Sequence, residues 1–267
     1  MGLLKSFVYG GSTPVETNFV EYRETFAKQP VFISCDTNFR KTIPNSELTV
    51  CVKVQMEVSV NVNSPQLISD LEAAHLADIR SILSQHIGGR FVGQGVIASQ
   101  EIAFLVFYIS ERNAKSCKRM LQETFTGSFR HSDFSVTYDP NANEYLKFLY
   151  PSELQFKQID NNKILRTLKG YGDNGETPRP VMFHFIFPNR PAAISFYTKT
   201  GEKGFDYVSL NEEPAPEGMV LPRFHLVIKK TMPFDVELLD LVDGYLLNTS
   251  AEFQGTYKSL ETDIVEN

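Results

Sequence analysis

The chain has 267 residues, of which 42% are hydrophobic and 22% are charged, and its net charge is −6. This composition is typical of a globular protein with about two domains, and it excludes disorder along the whole length. No apolar run approaches the roughly 20 residues of a membrane-spanning helix, and the first ten residues are too short for a secretory signal, so we expect a cytoplasmic protein.

The first half begins with two predicted strands and a long helix. Residues 31–36 and 47–60 have strand composition, and valines in the second segment alternate with mostly polar residues, which predicts one buried face. Ser64 is the predicted helix N-cap, Pro65 the first helical residue, and the helix ends near Gly88. The predicted apolar face of this helix contains Ile68, Leu71, Ile79 and Ile82.

Four further elements complete the first predicted domain. They are strands at 91–98 and 102–110, a helix at 113–125 and a strand at 133–138. Counted from residue 47, the order is strand, helix, strand, strand, helix, strand, which predicts a ferredoxin-like α/β sandwich with an antiparallel sheet. The turn-rich segment 139–152 predicts a domain boundary, so we assign residues 1–145 to this domain. It resembles an uncharacterised bacterial domain family.

The same plan recurs in the second predicted domain, residues 151–267. A leading helix is followed by strand, helix, strand, strand and helix, at residues 152–169, 180–187, 191–200, 205–210, 223–231 and 234–247. The order predicts a second ferredoxin-like sandwich, and therefore an α+β protein with two antiparallel sheets. The tail at 255–267 is polar and acidic, and we expect it to be frayed.

A motif in the second domain carries a family resemblance. In chain order it consists of a helix with Ile164, Leu165 and Leu168, the pairs Gly172-Asp173 and Pro178-Arg179, a strand with His184 and Phe187, a helix with Phe196, and the pair Gly204-Phe205. This order resembles the regulator of ribonuclease E activity B family. The resemblance implies a non-enzymatic protein that binds a ribonuclease E-type endonuclease, inhibits it and so modulates RNA turnover.

Most of the negative charge lies in the second domain. Residues 151–267 hold 12 Lys and Arg against 17 Asp and Glu, whereas residues 1–150 hold 14 against 15. A protein that binds nucleic acid needs a basic surface to neutralise phosphates. We therefore expect a basic protein partner and no direct contact with nucleic acid, although a need for solubility also accounts for an acidic surface.

The outer face of the second predicted sheet is a candidate partner-binding site. Strand alternation places Met182, His184 and Ile186 on this face of one central strand, and His225 and Val227 on the same face of its neighbour. A semi-apolar face of this size needs a cover, which is either the first domain or a partner protein. The two histidines predict that binding of a partner is sensitive to pH near neutrality.

The loop before the first central strand is a second candidate. Asp173 and Glu176 lie near Arg179, which has a proline on each side that stiffens the backbone. Arg179 either forms a local ion pair with Asp173 or Glu176 that closes the loop or presents its guanidinium group to a carboxylate of a partner.

No residue pattern predicts catalysis, a cofactor or a metal site. The glycine-rich stretches at 88–95 and 170–175 each follow a helix and lead to a strand, which is the reverse of a phosphate-binding loop. His75 and His86 are predicted on one helix, about 16 Å apart, too far to bind one metal ion. We expect these histidines at the edge of the core.

The cysteines are widely spaced and odd in number, so they form neither a disulfide framework nor a CxxC motif: Cys35, Cys51 and Cys117. We expect structural thiols. Two alternative functions stay open, namely a two-domain module that senses a small molecule and a hydrolase whose residues converge only in the fold. The sequence also leaves open the identity of the partner, the oligomeric state and the role of the first domain.

Overall fold

The computed structural model describes residues 16–26, 29–60, 68–125, 132–214 and 222–265. The described residues combine helices with two antiparallel sheets, of six and four strands, which confirms the predicted α+β class. The chain divides into two compact units, residues 1–150 and 151–267.

The first unit contains a six-stranded sheet and two long helices. The strands are β1 (Phe19–Phe26), β2 (Gln29–Asp36), β3 (Val50–Glu57), β4 (Arg90–Ile97), β5 (Ile102–Ile109) and β6 (Ser132–Tyr138), and the helices are α1 (Asp70–Ile87) and α2 (Glu111–Phe125). The strand order is β1-β2-β4-β5-β3-β6. The last four strands in this order, β4-β5-β3-β6, have the ferredoxin-like arrangement. Strand β2, together with the unpredicted strand β1, extends the sheet at one edge.

Helix α1 differs from the prediction at its start and in its buried face. Ser69 caps it by accepting a hydrogen bond from the amide of Glu72, whereas the predicted Ser64 and Pro65 lie outside the described residues. Leu71 is 81% exposed and Ile82 50% exposed, and Ile68 precedes the helix. The residues that face the core are Leu76, Ile79, Leu83 and Ile87, spaced by three or four positions as a helical period requires.

Strand β5 is buried on both of its faces. Leu105 and Phe107 join the core beneath the helices, while Phe104 on the opposite face packs against Phe148 with ring centroids 5.2 Å apart. Phe148 belongs to a short π-helix, Tyr145–Leu149, in the turn-rich segment where the sequence predicted the domain boundary. The outward side chain of Phe104 is thus covered from within its own unit.

The second unit contains a four-stranded sheet and three helices. The strands are β7 (Arg179–Phe187), β8 (Asp206–Glu213), β9 (Arg223–Met232) and β10 (Thr256–Thr262), and the helices are α3 (Glu153–Gly170), α4 (Arg190–Gly201) and α5 (Val236–Glu252). The strand order is β10-β7-β9-β8, which after the leading helix α3 is again ferredoxin-like. Ser152 and Gln155 start α3 with a capping box.

The tail of the chain was wrongly predicted to be frayed. Strand β10 pairs with β7 from Thr256 opposite Ile186 to Thr262 opposite Val181. Tyr257 holds this strand in place, because its ring stacks on Phe185 at 4.9 Å and it is buried. The pairing completes the sheet, and it places the acidic end of the chain beside the central strand.

The core of the second unit lies between the sheet and the helices. The residues of β7 that alternate with the predicted outer positions are all fully buried: Val181, Phe183, Phe185 and Phe187. Phe196 of α4 and Leu239 and Leu246 of α5 pack against them. The helices therefore cover one face of the sheet, and the side chains between these inward positions point to the other.

Candidate functional site

The structure brings five predicted residues together on one surface. Strands β7 and β9 are central neighbours, with His184 opposite Val227 and Ile186 opposite His225. These four residues and Met182 lie on the face of the sheet away from the helices, which we call the outer face. All are half-buried except Val227, which is buried.

Four ionisable side chains form a row across the outer face. In the order of the strands β10-β7-β9-β8 they are Glu261, His184, His225 and Glu213. Nε2 of His184 lies 3.3 Å from Oε1 of Glu261, and Nδ1 of His225 lies 3.4 Å from Oε1 of Glu213. Between them, Nδ1 of His184 and Nε2 of His225 are 3.1 Å apart. We call these four residues the carboxylate–histidine row.

The row is shielded at its centre and open at its ends. The side chains of His184 and His225 are 18% and 27% exposed, whereas those of Glu261 and Glu213 are 57% and 45% exposed. The planes of the imidazole rings are inclined by 30°, with centroids 5.2 Å apart. The centre offers a weakly polar surface, and each end offers a carboxylate that accepts hydrogen bonds from a cation.

Sequence reasoning found the histidines and missed the two carboxylates. Glu213 lies beyond the predicted end of its strand at residue 210, and Glu261 lies in the tail that was expected to be frayed. Extending the strand alternation through residue 213 is the signal that identifies Glu213. No local pattern identifies Glu261.

Asp173 and Arg179 form a buried ion pair. Nη2 of Arg179 donates to Oδ1 of Asp173 at 2.8 Å, and Nη1 donates to its second carboxylate oxygen. Two of the three remaining N–H donors of Arg179 reach backbone carbonyls, Nε to Thr177 at 3.0 Å and Nη1 to Asp263 at 3.2 Å. Asp173 also accepts from the amides of Gly175 and Val265, each at 2.9 Å.

This geometry differs from the interpretation in which Arg179 meets a partner. Asp173 is 0% exposed and Arg179 is 2% exposed, so neither charged group is accessible to another protein. The pair instead joins the loop, the start of β7 and the end of the chain. The Arg179 guanidinium holds the pKa of the Asp173 carboxyl well below its usual range. Gly175, at φ +83°, supplies the left-handed backbone that closes the loop.

The thiols are placed as structural groups. All three cysteines are free and buried, as predicted from their number and spacing. Burial raises the pKa of Cys35 and Cys51 to about 12 and that of Cys117 to about 11, so none is activated as a nucleophile.

The predicted histidines of the long helix do not lie at the edge of the core. His75 and His86 are both exposed on α1, because the buried face of that helix lies elsewhere.

Within the part of the chain that the structure describes, no group of three or more His, Cys, Asp or Glu side chains is arranged to hold a metal ion. No helix in that same part is long and apolar enough to cross a membrane.

Residues 158–262 match the protein family described as "Regulator of ribonuclease activity B", as the sequence motif predicted. The match runs from within α3 to the end of β10, and the N-terminal part matches no family. No curated protein sequence matches the chain.

A solved structure titled "Crystal Structure of an Unknown Protein from Galdieria sulphuraria" is similar at 13% identity, covering 81% of this chain and 99% of that one, with a TM-score of 0.25. The family match therefore carries the functional information, and it supports a regulator of ribonuclease activity.

Proposed function

We propose that this protein binds a ribonuclease E-type endonuclease and inhibits it, with no catalysis of its own. The observation that carries the proposal is the match of residues 158–262 to a family of ribonuclease regulators. A regulator that acts by binding needs an accessible surface of fixed shape and no reactive group. The buried, protonated thiols are consistent with this role.

The outer face of the second sheet is the surface that best fits such a partner. Met182, Ile186 and Val227 give it an apolar centre, and burial of apolar area in a complex supplies favourable free energy. His184 and His225 lie beside this centre and offer polar atoms for orientation. Asp173 and Arg179 support the face from inside the fold, because they fix the start of β7.

The charge of the second unit favours a basic protein over RNA. Residues 151–267 hold 12 Lys and Arg against 17 Asp and Glu. RNA-binding sheets of comparable topology use exposed aromatic rings and surrounding positive charge. The middle of this face offers methionine, isoleucine and valine, and carboxylates lie at both ends of the histidine pair.

A cleavage assay tests the proposal. RNA cleavage by a purified ribonuclease E-type endonuclease is measured with increasing amounts of the full-length protein, and the affinity of the two proteins is measured by calorimetry. We expect slower cleavage and direct binding. If the wild-type protein neither binds nor slows cleavage, the proposed function is wrong.

Two matched variants locate the surface. Ile186→Glu places a charge on the outer face, whereas Leu241→Glu places the same charge on α5, where the leucine is 73% exposed. Introducing a buried charge at an interface costs several kcal/mol, so we expect Ile186→Glu to weaken binding at least about tenfold and Leu241→Glu to leave it unchanged. Equal loss in both variants, with both folded by circular dichroism, excludes the outer face as the binding surface.

A further inference from the structure

The carboxylate–histidine row has three contacts, and each requires one hydrogen. A ring nitrogen that faces a carboxylate carries its hydrogen, because a lone pair there would face negative charge. This holds for Nε2 of His184 and Nδ1 of His225, which lie at ion-pair distance from Glu261 and Glu213 without the geometry of a hydrogen bond. The two inner nitrogens, 3.1 Å apart, need one hydrogen between them, since one donates and the other accepts.

The number of hydrogens fixes the charge of the pair. Two neutral imidazole rings carry two N–H hydrogens in total. One of the three contacts then has no hydrogen, so a nitrogen lone pair faces either another lone pair or a carboxylate. Two imidazolium rings carry four hydrogens, which sets two N–H groups against each other at the inner contact. With three hydrogens, no lone pair faces a carboxylate and no two N–H groups face each other, and that number corresponds to one imidazolium ring and one neutral ring.

We propose that His184 and His225 share one extra proton and that this singly protonated row is the form of the outer face that binds the partner. The regulatory part of this inference rests on the proposed function. A second proton forces the rings apart at the centre of the face, between Ile186 and Val227. Acidification therefore releases the partner, while the fold is kept.

Charged neighbours act on the row from three strands. Glu213 of β8 and Glu261 of β10 favour the first proton. On β9, Arg223 and Lys229 lie an even number of positions from His225 and so share its face, where they disfavour the second proton.

Among the other charged residues of these strands, Asp206 of β8 lies opposite Lys229, and Lys258 lies at the irregularity in β10. The neighbours of His184 on β7 are Met182 and Ile186, which carry no charge.

The first arm of the test follows the histidine rings by nitrogen NMR during a pH titration of the full-length protein. We expect His184 and His225 to titrate together in two steps more than about one pH unit apart. His75 and His86, exposed on α1, supply reference signals from outside the row. Two independent single steps for His184 and His225 would overturn the shared proton.

Variants separate the coupling from the fold. In His184→Gln the glutamine keeps a polar side chain that does not titrate, and the coupled second step should then be absent from the signals of His225. His225→Gln should do the same for His184, so the test survives if one variant fails to fold. A persistent two-step titration in either folded variant contradicts the pairing.

The second arm measures affinity for the ribonuclease E-type endonuclease on either side of the second protonation step. We expect the wild-type affinity to fall about tenfold through that step and the His184→Gln affinity to change less than threefold. Affinity that is independent of pH, with coupled titration intact, overturns the regulatory role. Absence of binding at every pH, with coupled titration intact, overturns the proposed function and leaves the shared proton established.

Discussion

Removal of the Tyr257 hydroxyl group should destabilise the second unit measurably. The hydroxyl donates to Oδ1 of Asp243 at 2.7 Å, and Asn161 donates to the other carboxylate oxygen at the same distance. All three side chains are buried, with Asp243 0% exposed. Tyr257→Phe keeps the ring that stacks on Phe185 and deletes only the hydrogen bond, so the loss reports on this one interaction.

The expected magnitude follows from the charge of the acceptor. A hydrogen bond to a charged group contributes about 1.5–3 kcal/mol to the free energy of unfolding, and its loss leaves a buried carboxylate oxygen without a donor. For a unit of this size, 1 kcal/mol corresponds to about 4 °C, so we expect the melting temperature to fall by about 6–12 °C. Burial raises the pKa of Asp243 and the Tyr257 bond opposes that shift, so the loss should shrink in acid.

Scanning calorimetry of the full-length protein is the suitable assay, because the sequence contains no tryptophan to serve as a fluorescent probe. Tyr245→Phe is the matched control, since the hydroxyl oxygen of Tyr245 lies 3.5 Å from the carbonyl oxygen of Lys199, which is longer than an ordinary hydrogen bond. We expect this control to shift the melting temperature by less than about 2 °C. Equal shifts of the melting temperature in the two variants would refute the role of the Tyr257 hydroxyl in stabilising the packing of β10 against the core.

Two other substitutions test the buried and half-buried charges of the second unit. Arg179→Met should lower the melting temperature by at least about 12 °C, because it leaves the Asp173 carboxylate buried without its cation, whereas Arg166→Met on the exposed side of α3 should have little effect. Similar calorimetric shifts in both variants would contradict the ion-pair argument. Desolvation, followed by the nearby Asp243 carboxylate, raises the pKa of Asp240 to about 6. The folded chain therefore binds more protons than the unfolded chain between about pH 4 and 6, and this group makes stability fall as the pH rises through that window. Because the side chain is partly exposed, Asp240→Asn should raise the free energy of unfolding at pH 7.5 by only about 1 kcal/mol and should have no such effect near pH 4. Urea denaturation at the two pH values checks this, and an equal gain at both would show that titration is not the cause.

Local patterns in the sequence determined the fold class and the two sides of the second sheet. The alternation along β7 placed Phe183 and Phe185 in the core and His184 on the outer face, because successive side chains of a strand point to opposite sides. The order of strands and helices predicted both ferredoxin-like arrangements and the pairing of β7 with β9. The motif from Ile164 to Phe205 also predicted the family that residues 158–262 match.

Only the tertiary structure decided how the C-terminal strand β10 and the strand β8 contribute residues to the outer face. Strand β10 has only Tyr257 and Leu260 as large apolar residues, too few for a recognisable alternation, and it is a strand because β7 offers a free edge and Asp243 a buried acceptor. The row acquires Glu261 through that pairing and Glu213 through the register of β8 on β9. These contacts join residues far apart in sequence, and a local pattern contains no information about such pairs.

The loop of Arg179 shows the same division. Its sequence allowed two interpretations, an ion pair inside the fold or a contact with a partner. The choice depends on the returning end of the chain, where the carbonyl of Asp263 and the amide of Val265 complete the shell around the pair. Periodicity and turn residues are local properties that the sequence determines by itself, whereas burial of a charge depends on which distant segments exclude water from it.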